Sequence, residues 1–237
     1  MIRRLAKLEA TARELGGRRV NLIAPYFAYM RQDKRFHPGE AVSARYFGQL
    51  LSGLFDRVVT IDPHLHRTSS LAELFPTCET TCLFGADALA RHYRQRPPPA
   101  STLVIGPDVE SGPWVNRIAG TLGLEYATLR KHRHGDSDVV IDLPDKLSLA
   151  DRPVLLVDDI CSTGGTLHAA ISLLKRADAG PITVFVTHAL GNANVTDALL
   201  RAGAASVLST DSCPGVTGTV HLAALIAEAL PPSDVLA

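Results

Sequence analysis

The sequence predicts an α/β fold with largely parallel sheets flanked by helices, and two observations predict it. Short apolar, partly β-branched runs alternate along the whole chain with stretches whose apolar residues recur at helical spacing. The loops richest in charged, hydroxyl and glycine residues, 31–33, 62–64, 108–112 and 158–166, each follow one of those apolar runs. Ligands gather at the carboxyl ends of the strands in parallel sheets, so the second observation agrees with the first.

Taken in order, residues 5–15 alternate apolar positions with Lys7, Glu9, Arg13 and Glu14 as an amphipathic helix does. A strand is expected over 20–24, a loop over 25–40 and a helix over 42–54. Val42, Phe47, Leu50, Leu51 and Leu54 form that helix's apolar stripe. A strand over 57–61 ends at Asp62-Pro63-His64. Weaker patterns suggest a short helix over 71–75, a strand over 80–84 and a helix over 86–96 that Pro97, Pro98 and Pro99 break. Then come a strand at 102–105, a loop at 106–113, a helix at 114–122, a strand at 125–129 and a basic loop at 130–138. Strands at 139–142 and 154–157 follow, and Leu167, Ala170, Ile171 and Leu174 mark the next helix. The remaining expected elements are a strand at 182–187, a helix at 195–202, a strand at 206–209 and a helix at 222–230. A boundary is expected at 76–80, which divides the chain into 1–77, 78–220 and a C-terminal helix and tail over 221–237.

With 237 residues the chain can bury a sizeable core as one large or two small domains. Apolar residues make up 46% and charged ones 20%, the composition of an ordinary soluble protein. Lys plus Arg equals Asp plus Glu, 24 of each, so no general nucleic-acid or membrane surface is expected and any anion site must be local. No apolar run approaches membrane-spanning length and the N-terminus lacks a secretory apolar segment, so the cytoplasm is the expected location. Cys78, Cys82, Cys161 and Cys213 are too few and too scattered for a disulfide framework or a zinc site.

Residues 153–166, PVLLVDDICSTGGT, carry the first functional signal. A buried strand leads to Asp158 and Asp159, then to Cys161-Ser162-Thr163-Gly164-Gly165-Thr166 at the start of a helix. First-turn N–H groups lack intrahelical partners and the helix dipole adds partial positive charge, so an anion belongs there. Ser162, Thr163 and Thr166 add hydroxyl donors, and the glycines let backbone approach a phosphate. No lysine follows the glycines, so this is not a Walker A loop, and a phosphomonoester suits it better than a nucleoside triphosphate. Asp158 and Asp159 suit vicinal sugar hydroxyls or a hydrated Mg2+. A structural reading, in which the acids merely cap the helix, stays open on these residues alone.

The second signal is the loop from Pro25 to Glu40. Arg31, Lys34 and Arg35 can engage polyphosphate oxygens, while Gln32 and Asp33 offer acceptors to an adenine or sugar edge. From charge alone a solvated basic turn is the favoured reading of the same loop and a capping or core histidine that of His64, while 131–136 reads equally as a surface hairpin.

The stretch 153–166 resembles the ribose-5-phosphate loop of the type I phosphoribosyltransferase superfamily, which includes the phosphoribosyl pyrophosphate (PRPP) synthetases. PYFAYMRQDKRFHPGEAVSAR, from Pro25, followed by RVVTIDPHLH, from Arg57, resembles the synthetase (ribose-phosphate pyrophosphokinase) family specifically. Ordinary phosphoribosyltransferases lack this first segment. The resemblance implies two phosphoribosyltransferase-like domains and transfer of a diphosphoryl group from Mg-ATP to the 1-hydroxyl of ribose 5-phosphate. It further implies that Arg31, Gln32 and Asp33 bind ATP and that His64 and Asp108 take part in Mg2+ binding. Lys131 and Arg133, within Lys131-His132-Arg133-His134-Gly135-Asp136, match the catalytic loop. Asp158, Asp159, Ser162, Thr163, Gly164, Gly165 and Thr166 match the ribose-5-phosphate site, and a homo-oligomer is expected. The family's F-x-D-G-E loop has no counterpart here, so the first domain is expected to be incomplete. Smaller departures are Pro63, where the family has Leu, the Val109-Glu110-Ser111 continuation, and Ser162 as a variant spelling of the loop. Two alternatives remain at this stage: a non-catalytic binding homologue, and a phosphoribosyltransferase that consumes PRPP.

Overall fold

Every strand pair in the two main sheets is parallel. The computed structural model describes residues 2–65, 67–68, 70–94, 96–134, 138–142, 147–215 and 217–230, with 131–134 and 138–142 described by backbone alone. By its contacts the chain forms two units, one comprising the chain up to Phe84 and from Ala223 on, the other Gly85–Leu222.

The first unit contains α1 (Ile2–Glu14), β1 (Asn21–Ile23), α2 (Ser43–Ser52), β2 (Arg57–Ile61) and β3 (Glu79–Leu83). Its sheet runs β1-β2-β3, with Ile23 opposite Val59 and Ile61 opposite Leu83. The central strand, β2, is buried from Val58 to Ile61, as its β-branched run demands. Phe27, Phe47, Leu51, Val58 and Phe75 pack the core, with Ile2 and Leu5 of α1 partly buried against it. Asp56, just before β2, accepts from Val20 N at 2.7 Å and from Arg13 Nη2 at 3.1 Å, and these two contacts hold its carboxyl below the usual range.

The second unit contains α3 (Gly85–Tyr93), β4 (Leu103–Gly106), α4 (Gly112–Leu122), β5 (Glu125–Thr128), β6 (Arg130–His134), β7 (Asp138–Asp142), β8 (Val154–Cys161), α5 (Gly165–Arg176), β9 (Ile182–Ala189), α6 (Ala193–Arg201), β10 (Ala204–Thr210) and β11 (Gly218–Val220). Its sheet has the order β11-β10-β9-β8-β4-β5. Leu103, Ile105, Leu156, Leu167, Ile171, Leu174 and Val184 are wholly or almost wholly buried in its core. The order reverses between β4 and β8: the chain winds outward to β5, returns to β8, then winds the other way through β9 and β10. The loops leaving adjacent strands at such a switch diverge and open a crevice. From this unit the chain returns to the first as α7 (Ala223–Ala229), which packs on β3.

The structure departs from the sequence reading in three elements. Residues 130–134, expected as loop, form β6, paired antiparallel with β7 so that Lys131 lies opposite Ile141 and Arg133 opposite Val139. A polar strand of this kind carries no apolar alternation, because its hydrogen bonds come from a hairpin partner. β8 continues past Val157 to Cys161, since β9 still pairs with it there, Asp158 opposite Val186 and Ile160 opposite His188. β11 was not foreseen. It is short and joins the sheet edge beside β10 through an irregular register.

Candidate active site

In the second unit, β4 and β8 meet at the switch point with Ile105 opposite Leu156. Past the end of β4, Asp108 accepts from Ser111 N at 3.2 Å and caps the short turn Val109–Ser111. The last residues of β8 include both expected sugar-binding acids, and they sit on the strand itself. Asp159 is buried, at 6% exposure, and its N–H donates to Asp158 Oδ1 at 3.0 Å. Successive strand side chains point to opposite faces, so the two carboxylates are not equivalent.

Asp158 is the electrostatic focus of this unit. Burial pushes its carboxyl well above the usual range, and the neighbouring Asp159 and Asp108 carboxylates push it further. Three carboxylates, those of Asp158, Asp159 and Asp108, are therefore gathered at this point. Mg2+ takes hard oxygen ligands, commonly one or two carboxylates completed by water and substrate phosphates. Among the described residues no group of three His, Cys, Asp or Glu side chains is placed to hold a metal by itself. The acids of the switch point thus fit Mg2+ of that partly substrate-ligated kind. Cys161 closes the strand, with its thiol pushed up to about 11 by burial and by Asp158, so it is a protonated packing residue at neutral pH.

Ser162 and Thr163 lead into α5, and both are exposed. Gly164 is the N-cap residue, with φ 77° and no side-chain cap on the helix. That left-handed angle favours glycine, and an added Cβ would lie 2.8 Å from Val195 Cγ1. The loop also rests on a support that sequence reasoning missed. Leu190 N and Gly191 N donate to Cys161 O at 2.8 and 3.1 Å, and a Cβ on Gly191 would lie 2.8 Å from Ser162 O. The segment between β9 and α6 therefore fixes the height of the loop from beneath. Its sequence signal was Gly191-Asn192, a turn dipeptide immediately before a helix.

The expected ATP loop lies in the first unit, between β1 and α2. Phe27 and Met30 are buried, and Phe27 packs against Phe47 and Phe75 with ring centroids 6.1 and 5.5 Å away. On the loop these anchors hold, Arg31 is exposed, whereas Gln32 is half-buried and accepts from Ser43 Oγ. Asp33 is bound by Arg67. Lys34 sits over the Phe36 ring at 5.2 Å, and Arg35 Nε donates to Glu40 O at 2.9 Å. Tyr29, Asp62 and His64 have φ of 70°, 40° and 53°, left-handed values that cost of order 1–3 kcal/mol each unless the surroundings impose them. Asp151 and Asp178, in turns of the second unit, have φ of 55° and 57°, so the left-handed residues are not confined to these loops. The His64 N–H donates to Asp62 O at 2.9 Å.

Lys131 and Arg133 lie on β6, and their side chains fall outside the described residues, as do Gly135 and Asp136.

Two outcomes follow from this geometry. A carboxyl whose folded value is raised keeps its proton where the unfolded chain releases it, so the ligand-free fold loses stability as pH rises above about 4. Asp158→Asn should therefore flatten the decline of Tm above that pH, and parallel Tm profiles for variant and parent would contradict it. Gly191→Ala should weaken sugar-phosphate binding about ten- to hundredfold by calorimetry, because it displaces Ser162. Val195→Ala, which adds no atom near Ser162, should cost about 1–2 kcal/mol of stability while leaving that affinity within about twofold. Equal affinity losses in both variants would reduce the support to general packing.

Family models match both units: the N-terminal domain of ribose phosphate pyrophosphokinase over residues 2–54, and the phosphoribosyl transferase domain over residues 83–210. A ribose-phosphate pyrophosphokinase of Methanopyrus kandleri is 35% identical over 230 residues, 97% of this chain and 77% of that one. That of Methanosarcina acetivorans is 31% identical, covering 91% of this chain and 73% of its own. The crystal structure of phosphoribosylpyrophosphate synthetase from Mycobacterium smegmatis has the same fold, with a TM-score of 0.80, 24% identity, and coverage of 96% of this chain and 75% of that one. With both family domains matched and relatives of this identity along nearly its whole length, the chain belongs to the ribose-phosphate pyrophosphokinase family.

Proposed function

We propose that this chain transfers the diphosphoryl group of ATP to the 1-hydroxyl of ribose 5-phosphate, giving PRPP and AMP. The observation that carries the reading is the match to both family domains in one chain. A phosphoribosyltransferase that consumes PRPP needs only the second.

In this reading the 5-phosphate sits at the N-terminus of α5. Backbone N–H groups of the loop, with the hydroxyls of Ser162, Thr163 and Thr166, donate to its oxygens, and Gly164 and Gly165 keep the approach open. Asp158 and Asp159 accept from the ring hydroxyls and so orient the 1-hydroxyl. That oxygen attacks the β-phosphorus of ATP and gives up its proton to solvent, the bridge to the α-phosphate breaks, and AMP leaves. Arg31, Gln32 and Asp33 serve the nucleotide. Lys131 and Arg133 place positive charge on the group in flight, where phosphoryl transfer gains most of its acceleration. Asp108 and His64 are the residues proposed for Mg2+, which when bound supplies neutralisation of phosphate charge. The family resemblance alone supports a homo-oligomer, a cytoplasmic location and the division 1–77, 78–220 and 221–237. Among the described residues, no helix is long and apolar enough to cross a membrane.

A ³¹P NMR time course with Mg2+, ATP and ribose 5-phosphate tests the activity: AMP and a new diphosphate ester should grow in step. ADP with free phosphate, or no turnover by folded protein, would contradict it. Lys131→Ala should lower kcat by about a hundredfold or more while the ribose 5-phosphate KM stays within about threefold. Equal losses in both would remove its role at the transition state.

A further inference from the structure

Asp33 was expected to offer its carboxylate to an adenine or sugar edge, and its surroundings point elsewhere. Arg67 Nη1 lies 3.1 Å from Asp33 Oδ1 and 2.9 Å from Oδ2, so both carboxylate oxygens meet one guanidinium nitrogen. The Asp33 side chain is only 6% exposed, whereas that of Arg67 is 49% exposed. A carboxylate withdrawn from water behind a cation is poorly placed to receive a ligand. The cation is better placed, because this contact engages only Nη1 of a guanidinium with five N–H donors.

The rest of the loop sharpens the distinction. Lys34 sits over the Phe36 ring and Arg35 donates through Nε to the Glu40 carbonyl, so both also brace their own turn. Gln32 is held by Ser43, the first residue of α2. Arg31, Lys34 and Arg35 are all exposed on the loop, and Arg67, three residues beyond His64, is a further exposed cation, the one fixed by a buried carboxylate of that loop. A guanidinium held in place by a buried carboxylate suits a polyphosphate, whose oxygens accept from Arg in bidentate fashion.

Resting on the function proposed above, we infer that Arg67 binds the polyphosphate of the nucleotide, and that Asp33 is a positioning residue that holds the Arg67 guanidinium and does not touch the nucleotide. Arg67 sits outside the Arg31-Gln32-Asp33 segment to which sequence reasoning assigned the nucleotide.

The test is a double-mutant cycle on the full chain, with Mg-ATP affinity measured by calorimetry at fixed ionic strength. Arg67→Gln should raise the ATP dissociation constant about tenfold or more, Asp33→Asn should raise it as well, and the double variant should be no worse than Arg67→Gln alone. Arg67→Lys, which keeps the charge and loses the fork, should fall between parent and Arg67→Gln. Affinity for ribose 5-phosphate should stay within about twofold in every variant, because that loop belongs to the other unit. A far-UV circular dichroism spectrum and Tm matching the parent's check the fold of the unit that carries the substitutions. If the two single effects multiply in the double variant, Asp33 meets the nucleotide directly and the inference is overturned. Unchanged ATP affinity in Arg67→Gln, with normal binding by the parent, overturns it too. A parent chain that binds ribose 5-phosphate but no ATP would instead overturn the functional reading beneath it, and this inference with it.

Discussion

All-parallel pairing is the constraint on which the rest of the second unit depends. A parallel strand can reach its neighbour only through a crossover, so every strand of the sheet ends on the same edge and the following loops gather there. Reversal of the winding between β4 and β8 then parts two of those loops, and the gap receives Asp108 from one side and the Asp158–Thr166 segment from the other. Because β8 is the buried centre of the sheet, its end is fixed by pairing through Cys161, and the first turn of α5 is aimed by a rigid strand. Precision in the loop after β8 is inherited from the sheet.

The same construction explains the unfavourable electrostatics. A strand that carries two successive acids to its end, beside a third from β4, collects negative charge in a partly dehydrated place, and burial there raises Asp158. Such an arrangement lowers the stability of the empty protein and is relieved when hydroxyl donors or a cation arrive. In the first unit the cost takes another form, left-handed backbone at Tyr29, in the loop that Phe27 and Met30 anchor in the core, and at Asp62 and His64 after β2. Each unit thus gives up some stability where its polar loops leave the sheet.

Much of this was legible in the sequence because the signals were local. The run Val154–Val157, the glycines at 164 and 165 and the helical stripe from Leu167 specify strand, turn and helix in direct succession, and the structure has them in that order. The length of β8 was not legible, since an acidic pair usually ends a buried strand, and only pairing with β9 carries it on to Cys161. β6 was hidden for the same reason, its pairing with β7 being invisible in a run of basic residues. Gly191 and Arg67 escaped because each acts across the chain: one lies against Ser162, 29 positions earlier, and the other against Asp33, 34 positions earlier. Sequence spacing exposes contacts within an element; contacts between loops appear only with the fold.

The central claim is a division of labour, with the sugar phosphate held by the loop after β8 and the nucleotide by the loop after β1. Hydrogen–deuterium exchange with one ligand at a time tests it most directly, because each loop's own amides report on occupancy. Ribose 5-phosphate alone should slow exchange in peptides spanning 160–168 and leave 29–45 unchanged, and Mg-ATP alone should protect 29–45. Protection of 29–45 by ribose 5-phosphate, or no protection of 160–168 at a saturating concentration, would contradict the account.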